Sequence, residues 1–386
     1  MTRRFLTGAR LFTGREMFDG QGVLIEDGVI LDLCRVPSGP VETVQLPEAA
    51  LLVPGFIDVQ VNGGGGVLFN EAPSEATIRT IAAAHRRFGT TGLVPTFITD
   101  DAQKMPAAAR AAASLAARRG SGVLGLHLEG PFLNPERRGV HSADFIRRPV
   151  PADIEALCAL AGQFAGGKLL VSLAPEMVED GAIRRLAAAG IAVSGAHSAA
   201  SFERTNEAIA AGLSGFTHLF NAMPPLASRA PGIAAAALAD PDTWCGIIAD
   251  GIHVHPALLR LALGLKPGKL FLVTDAMTPF GTDADSFLLY GSRITRRDGR
   301  LTTADGVLAG ADLDMPTAIR NCLDLLGLDL DEALRMASLY PAQFLGLADH
   351  RGRIAPGYIA DLTLLGPGLA VLETWVGGMS PVAQKS

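Results

Sequence analysis

Gly-Val-Leu-Gly-Leu-His-Leu-Glu-Gly-Pro-Phe, residues 122–132, decides the reading of this chain. A short apolar run is stopped by the carboxylate of Glu129 and then by a glycine-proline turn, the mark of a buried strand that delivers an acid at its C-terminal end. The pattern recurs: Ser-Gly-Ala-His197 and Gly-Phe-Thr-His218 end two later apolar runs, and Leu-Val-Thr-Asp275 ends a third.

Strands are expected at 51–61, 91–97, 122–128, 168–174, 191–196, 215–219, 244–249 and 270–274. Amphipathic helical patterns lie between them at 75–88, 105–119, 154–161, 182–189, 202–211 and 256–263, with closing helices at 316–326 and 331–339. This alternation predicts a (β/α)8 TIM-type barrel over residues 53–345. A doubly wound sheet is the structural alternative, but no glycine-rich dinucleotide turn supports it.

Residues 1–52 and 346–386 have a different texture, short strands with tight glycine turns, and are expected to pair into one small β-sandwich domain built from both chain ends.

In a barrel, the ends of the strands share one mouth. Gln60 and Asn62 follow the first strand, Glu129 the third, His197 the fifth, His218 the sixth, Asp250 to His253 the seventh and Asp275 the eighth. A catalytic divalent ion needs about three protein ligands and an open position, and imidazole nitrogen with carboxylate oxygen suits zinc or iron. Glu129, His197 and His218 meet that count, although a single strand-end histidine is more often a hydrogen-bonded structural residue. Asp275, on its rigid support, suits a general base, or else a carboxylate that orients a histidine.

Other histidines divide by context. In His253-Val-His255, Pro256 opens a helix, so His253 is expected to face the pocket and His255 to be structural. His141 follows a long loop and suits donation to a substrate carbonyl. His127 shares a strand face with Glu129, while His85 and His350 read as structural. Arg229, in a proline-bounded loop, is either a phosphate contact or an ordinary surface arginine. Residues 63–66 are glycine throughout but lack the Lys-Ser/Thr of a phosphate loop, so a flexible turn is expected.

Composition excludes several classes of function. The chain has 386 residues, 48% of them hydrophobic, enough for a large core, and its net charge of −6 argues against nucleic acid as a partner. No apolar core follows the arginines near the start and no run approaches the ~20 residues of a membrane span, so a cytoplasmic protein with no membrane partner is expected. Cys34, Cys158, Cys245 and Cys322 are scattered without metal or redox spacing and read as buried thiols.

Together, Pro-Gly-Phe-Ile-Asp-Val-Gln-Val-Asn at 54–62, His-Leu-Glu-Gly-Pro-Phe at 127–132, Gly-Ala-His at 195–197, His-Leu-Phe-Asn-Ala-Met at 218–223 and Asp-Gly-Ile-His at 250–253 resemble the N-acetylglucosamine-6-phosphate deacetylases, a branch of the amidohydrolase superfamily. The resemblance covers nearly the whole chain. It implies metal-dependent hydrolysis of the acetamide of N-acetylglucosamine 6-phosphate, giving glucosamine 6-phosphate and acetate. The galactosamine epimer, or another N-acyl or cyclic amide, is the alternative substrate, and a metal-free sugar-phosphate-binding protein is the rival of a different class.

It further implies that Glu129, His197 and His218 hold the metal and that Asp275 is the acid/base. Substrate contacts fall on Val140, His141, Asn221, Ala222, Arg229, Asp250, Gly251, Ile252, His253, Leu308, Ala309 and Gly310. Dimers or larger homo-oligomers are implied, in which Arg229 can reach a neighbouring subunit. One departure matters: many amidohydrolases carry His-x-His after the first strand and hold two metals, whereas here Gln60 and Asn62 stand there. Amides are poor ligands for a borderline cation, so one divalent ion per subunit, zinc or iron(II), is expected. Met277 and Ala309 stand where relatives vary and leave the sugar epimer open.

Overall fold

The computed structural model describes residues 3–164 and 167–380, so residues 1–2 and 381–386 of the two expected terminal segments lie outside it. Eight strands form one sheet in strict sequence order: β1 (Phe56–Val61), β2 (Thr90–Ile98), β3 (Gly125–Glu129), β4 (Lys168–Leu173), β5 (Ala192–Gly195), β6 (Leu213–Phe216), β7 (Trp244–Ile247) and β8 (Leu270–Leu272). Each is parallel to the next, as one-directional βα repetition requires.

The sheet closes on itself just past β8. There the Asp275 amide donates to the Gln60 carbonyl at 3.0 Å, and Val61 bridges Ala276 in parallel register. A side chain reinforces this seam. The fully buried Asp58 accepts from the Thr274 hydroxyl at 2.5 Å, the Thr274 amide at 3.3 Å and the Gln60 amide at 3.2 Å. Burial pushes its carboxyl up to about 7 against those donors.

Helices cover the outside. Glu75–Arg86 starts at Ser74, whose hydroxyl accepts from the Thr77 amide, and it turns Ile78, Ile81 and Ala82 inward. The alanine-rich Met105–Ala116 buries Ala108, Ala109, Ala112 and Leu115 against the same core, where small side chains allow close approach to the strands. Gly232–Ala239, between β6 and β7, was not expected. Its Gly-Ile-Ala-Ala-Ala-Ala-Leu-Ala is buried on nearly every side and so shows no amphipathic period.

Inside the barrel, beneath the mouth, runs a hydrogen-bonded row of polar side chains. Thr96 Oγ1 lies 3.1 Å from His127 Nδ1 and His127 Nε2 lies 2.7 Å from Ser172 Oγ. Ser172 Oγ lies 2.6 Å from Thr217 Oγ1, which donates to Ser194 Oγ at 2.8 Å. Burial holds the His127 ring down at about 4, so it is neutral and can take one donor and one acceptor role in this row.

Both chain ends build a second body, as expected. One sheet holds Val29–Cys34, Gly22–Glu26, Arg3–Thr7 and Glu42–Gln45; the other holds Val371–Trp375, Leu362–Leu365, Leu51–Pro54, Arg10–Phe12 and Met17–Phe18. Leu6, Val23, Ile25, Leu52, Leu362, Leu364 and Trp375 share the core between them. The apolar run 51–61, read as one strand, is two. Gly55 separates Leu51–Pro54, in the small domain, from β1 in the barrel, and the junction leaves no room for a side chain: an added Cβ at Gly55 would lie 2.1 Å from Thr91 Oγ1.

A third sheet was not foreseen. Ser286–Leu289, Ser292–Arg297, Arg300–Thr302 and Leu308–Ala311 form an antiparallel insertion after β8, resting on Ile98, Met277 and Val140 at the mouth. Of the cysteines, Cys245 and Cys322 are buried, Cys34 and Cys158 are half-buried, and all four are free thiols. Among the described residues no helix is long and apolar enough to cross a membrane.

Candidate active site

A cavity of about 440 Å³ opens at the C-terminal ends of the strands. Glu129, His197, His218 and Asp275 all line it, each fully or almost fully buried. Three of the four sit in the left-handed backbone region, His197 at φ +45°, His218 at +33° and Asp275 at +50°. Such conformations cost a non-glycine residue on the order of 1 kcal/mol each and concentrate at functional sites. Directly after Glu129 the backbone demands glycine: an added Cβ at Gly130, φ +93°, would lie 2.1 Å from Thr99 Oγ1.

The donor atoms converge. His218 Nε2 lies 2.9 Å from Glu129 Oε1 and 3.2 Å from His197 Nε2, and His197 Nε2 lies 3.3 Å from Glu129 Oε1. Ligands ~2.0–2.2 Å from a tetrahedral ion stand roughly 3.3–3.6 Å apart, so these three atoms are set close to the edges of such a tetrahedron. Glu129, His141 and His197 also offer atoms within 4.8 Å of one another, a wider set that places His141 at the rim of the same centre.

Electrostatics agree with this donor set. Burial alone would raise the Glu129 carboxyl, but the His197 and His218 rings hold it well below the usual range; His218, conversely, is raised by Glu129 against the effect of burial. His197 Nδ1 lies 2.8 Å from the Arg137 carbonyl, which fixes that nitrogen as the donor and turns the Nε2 lone pair inward. The donor chemistry, two imidazoles and one carboxylate, therefore fits a borderline divalent cation.

Gln60 and Asn62 act on the carboxylate beside this centre. Asn62 Nδ2 donates to Asp275 Oδ1 at 2.6 Å and Gln60 Nε2 donates to the same oxygen at 3.1 Å, while Gln60 also reaches Glu129. Burial, then the Glu129 charge, push Asp275 up to about 6; the Asn62 bond opposes them.

The expected substrate residues separate into two groups. Val140, His141, Asn221, Ala222, His253, Leu308 and Gly310 line the cavity. Arg229, Asp250, Gly251, Ile252 and Ala309 do not. Arg229 lies exposed on its loop, and Ala309 is buried beneath the wall beside Met277. Asp250 instead aims its neighbour: it accepts from the Ile252 and His253 amides at 2.8 Å each and lies 2.6 Å from His253 Nδ1. His255 Nδ1 accepts from the Ala257 amide at the start of Pro256–Leu265.

His141 Nδ1 lies 3.0 Å from Thr99 Oγ1, whose hydroxyl donates to the Glu129 carbonyl at 3.1 Å. Nδ1 is thus engaged with Thr99, which leaves Nε2 as the free nitrogen of the ring. Burial pushes this ring down to about 3. His85, stacked on Phe280 and 3.1 Å from the Gly63 carbonyl, is built into the wall below residues 63–66.

Several lining residues escaped the sequence reading, among them Ile98, Glu136, Arg137, Gly139, Ile248, Gly306 and Val307. The charged Pro-Glu-Arg-Arg-Gly at 135–139, close after Glu129, was the available signal.

The amidohydrolase family model matches residues 51–382. An N-acetylgalactosamine-6-phosphate deacetylase of Shewanella sp. (strain ANA-3) is 41% identical over 376 residues, covering 96% of this chain and 94% of that protein. An N-acetylglucosamine-6-phosphate deacetylase of Haemophilus influenzae is 33% identical, over 91% of this chain and 95% of its own length. The crystal structure of N-acetylglucosamine-6-phosphate deacetylase from Pasteurella multocida superposes with a TM-score of 0.93 at 35% identity, covering 98% of this chain and 99% of that one.

Proposed function

This chain belongs to the amidohydrolase family, and on that premise we propose that it removes the acetyl group of an N-acetylhexosamine 6-phosphate, giving the free amino-sugar phosphate and acetate. N-acetylglucosamine 6-phosphate is the substrate of our reading, and the 41% identical relative named for the galactosamine epimer makes that epimer the specific second reading. The observation that carries the proposal is the meeting of Glu129, His197 and His218 at 2.9–3.3 Å beside a carboxylate held by two amides.

Glu129, His197 and His218 would hold one divalent ion, zinc or iron(II), which when bound polarises the amide carbonyl and acidifies the attacking water. Gln60 and Asn62 tie down Asp275 Oδ1 and leave Oδ2 to exchange protons. A carboxyl raised to about 6 is ionised at neutral pH yet basic enough to take the proton of the water and return it to the departing amine. His141, held through Nδ1 by Thr99 and lining the cavity, is placed to donate a hydrogen bond to the substrate carbonyl. Asn221, Ala222 and His253 border the remaining volume and receive the sugar.

Arg229, exposed in its loop, serves this reading only by reaching the site of a second subunit in a dimer or tetramer. A doubly charged sugar phosphate does not cross a bilayer unaided, so the cytoplasm is the proposed compartment.

The test is acetate release by metal-analysed protein from both epimeric 6-phosphates and from free N-acetylglucosamine. One bound divalent ion per subunit and a preference of ~100-fold or more in kcat/KM for a phosphorylated substrate are expected, the size of one or two strong charge-assisted contacts. Equal rates with and without phosphate would defeat the substrate assignment, and a metal-free protein that releases no acetate would favour the binding-protein rival.

A further inference from the structure

His197 keeps a left-handed backbone, φ +45°, which a residue other than glycine holds only where its surroundings fix it. A carboxylate outside the cavity lining supplies that fixing. Glu176, in the helical turn Pro175–Met177 after β4, is half-buried and accepts three hydrogen bonds. Its Oε1 takes the Ala199 amide at 2.6 Å and the Asn134 side-chain amide at 2.8 Å, and its Oε2 takes the Ser198 hydroxyl at 2.7 Å.

Two routes lead from this carboxylate to one imidazole. Through Ser198 and Ala199 it holds the two residues that follow His197. Through Asn134 it holds the turn 134–137: Asn134 Oδ1 accepts from the Glu136 amide at 2.8 Å, the Asn134 carbonyl accepts from the Arg137 amide at 3.0 Å, and the Asn134 amide donates to the His197 carbonyl at 2.9 Å. At the end of that turn the Arg137 carbonyl stands 2.8 Å from His197 Nδ1. Glu176 is itself anchored from behind. Arg204 donates to the Pro175 carbonyl at 3.1 Å and the Val178 carbonyl at 2.9 Å, and it pairs with Asp180 at 2.6 Å.

We infer that Glu176, by accepting these three bonds, is the positioning residue that aims His197 Nε2 at the metal. It acts through the backbone on one side of His197 and through the Arg137 carbonyl on the other. A ligand ring held in this way meets the ion without first being ordered, which strengthens binding. The inference rests on the functional reading above, in which His197 holds the ion.

The zinc affinity of the metal-free protein, read by competition with a chromophoric chelator, would be compared in wild type, Glu176→Ala, Glu176→Gln and Asn134→Asp. The unfolding midpoint of each metal-free protein is recorded beside it. Glu176→Ala should raise Kd ~10–100-fold, the range for losing a group that orients a ligand. Glu176→Gln keeps an oxygen for the Ala199 and Asn134 amides and can donate to the Ser198 hydroxyl, so its Kd should stay within ~3-fold of wild type. Asn134→Asp keeps the acceptor for the Glu136 amide but turns a second carboxylate toward Glu176, and it should weaken zinc binding in the same direction. That variant leaves Glu176 in place and decides the matter if Glu176→Ala does not fold.

Metal-free midpoints that fall while every Kd holds would make Glu176 an ordinary structural residue and overturn the inference. So would Glu176→Gln binding as weakly as Glu176→Ala, because charge and not acceptor geometry would then be at work. A wild type that binds no zinc overturns the functional reading as well.

Discussion

Removing the Asn62 side chain should move the acidic limb of the pH–rate profile upward. In Asn62→Ala the bond lost is Asn62 Nδ2 to Asp275 Oδ1 at 2.6 Å, and nothing else is broken, because the oxygen of the same amide is buried without a partner. A hydrogen bond to an ionised carboxylate is worth about 1.5–3 kcal/mol, or ~1–2 pK units at 1.36 kcal/mol per unit. The bond favours the charged form, so its loss raises Asp275 from about 6 to ~7–8. The ionised form is the base, so at pH 6 its fraction drops from about one half to ~1–9%, a ~5–50-fold fall in kcat/KM. Near pH 9 the variant should approach the wild type. With metal content matched between the two proteins, the difference between their limbs isolates the hydrogen bond. Acetate release from pH 5 to 9.5 measures it. A limb that stays in place, or a loss equal at every pH, would refute the claim that Asn62 sets the ionisation of Asp275.

At the barrel seam, Asp58→Ala leaves the Gln60 amide and the Thr274 amide and hydroxyl without their acceptor, and should destabilise the fold by about 3–5 kcal/mol, read from the unfolding midpoint; a loss below ~1 kcal/mol would show that Asp58 does not clasp the seam. Because the folded Asp58 carboxyl is raised to about 7, the stability it contributes is complete below its ordinary pKa near 4 and is lost as the pH rises through 7. Wild type should therefore lose ground relative to Asp58→Asn between pH 5 and 8, and a constant difference in unfolding midpoint would contradict that sign. Gly310 has φ +64°, and an added Cβ would lie 2.5 Å from Met277 Cγ and 2.7 Å from the Asp275 carbonyl. Gly310→Ala should cost about 2–4 kcal/mol and lower kcat/KM, and Met277→Ala should not rescue it because the carbonyl remains; full rescue in a paired assay would place the obstruction at Met277 alone.

Much of this was legible in the chain because parallel strands covered on both faces read as apolar runs, and the first polar residue after each run marks the mouth of the barrel. Glu129, His197, His218 and Asp275 meet around one cavity for that reason. What escaped had physical causes. Ser292–Arg297, with the sequence Ser-Arg-Ile-Thr-Arg-Arg, buries only Ile294 and looks like a solvated segment. Gly232–Ala239 is apolar all round, so no period could reveal it. The run 51–61 carries no polar break at Gly55 to show where one sheet hands over to another. Arg137 reaches the site through a backbone carbonyl and a loop, neither of which leaves a periodic trace, while the loop around Arg229 is exposed throughout residues 225–230.

Leu51–Pro54 lies between Arg10–Phe12 on one side and Leu362–Leu365 on the other. A ribosome delivers those flanks some three hundred and fifty residues apart, so the nascent chain must carry one bare edge of that sheet through the synthesis of the whole barrel. An unpaired edge of Leu-Leu-Val-Pro is a template for adventitious strands. The strand that seals Leu51–Pro54 is thus made some three hundred residues after it, and a product truncated before residue 362 would leave the ribosome with that edge still open to other chains.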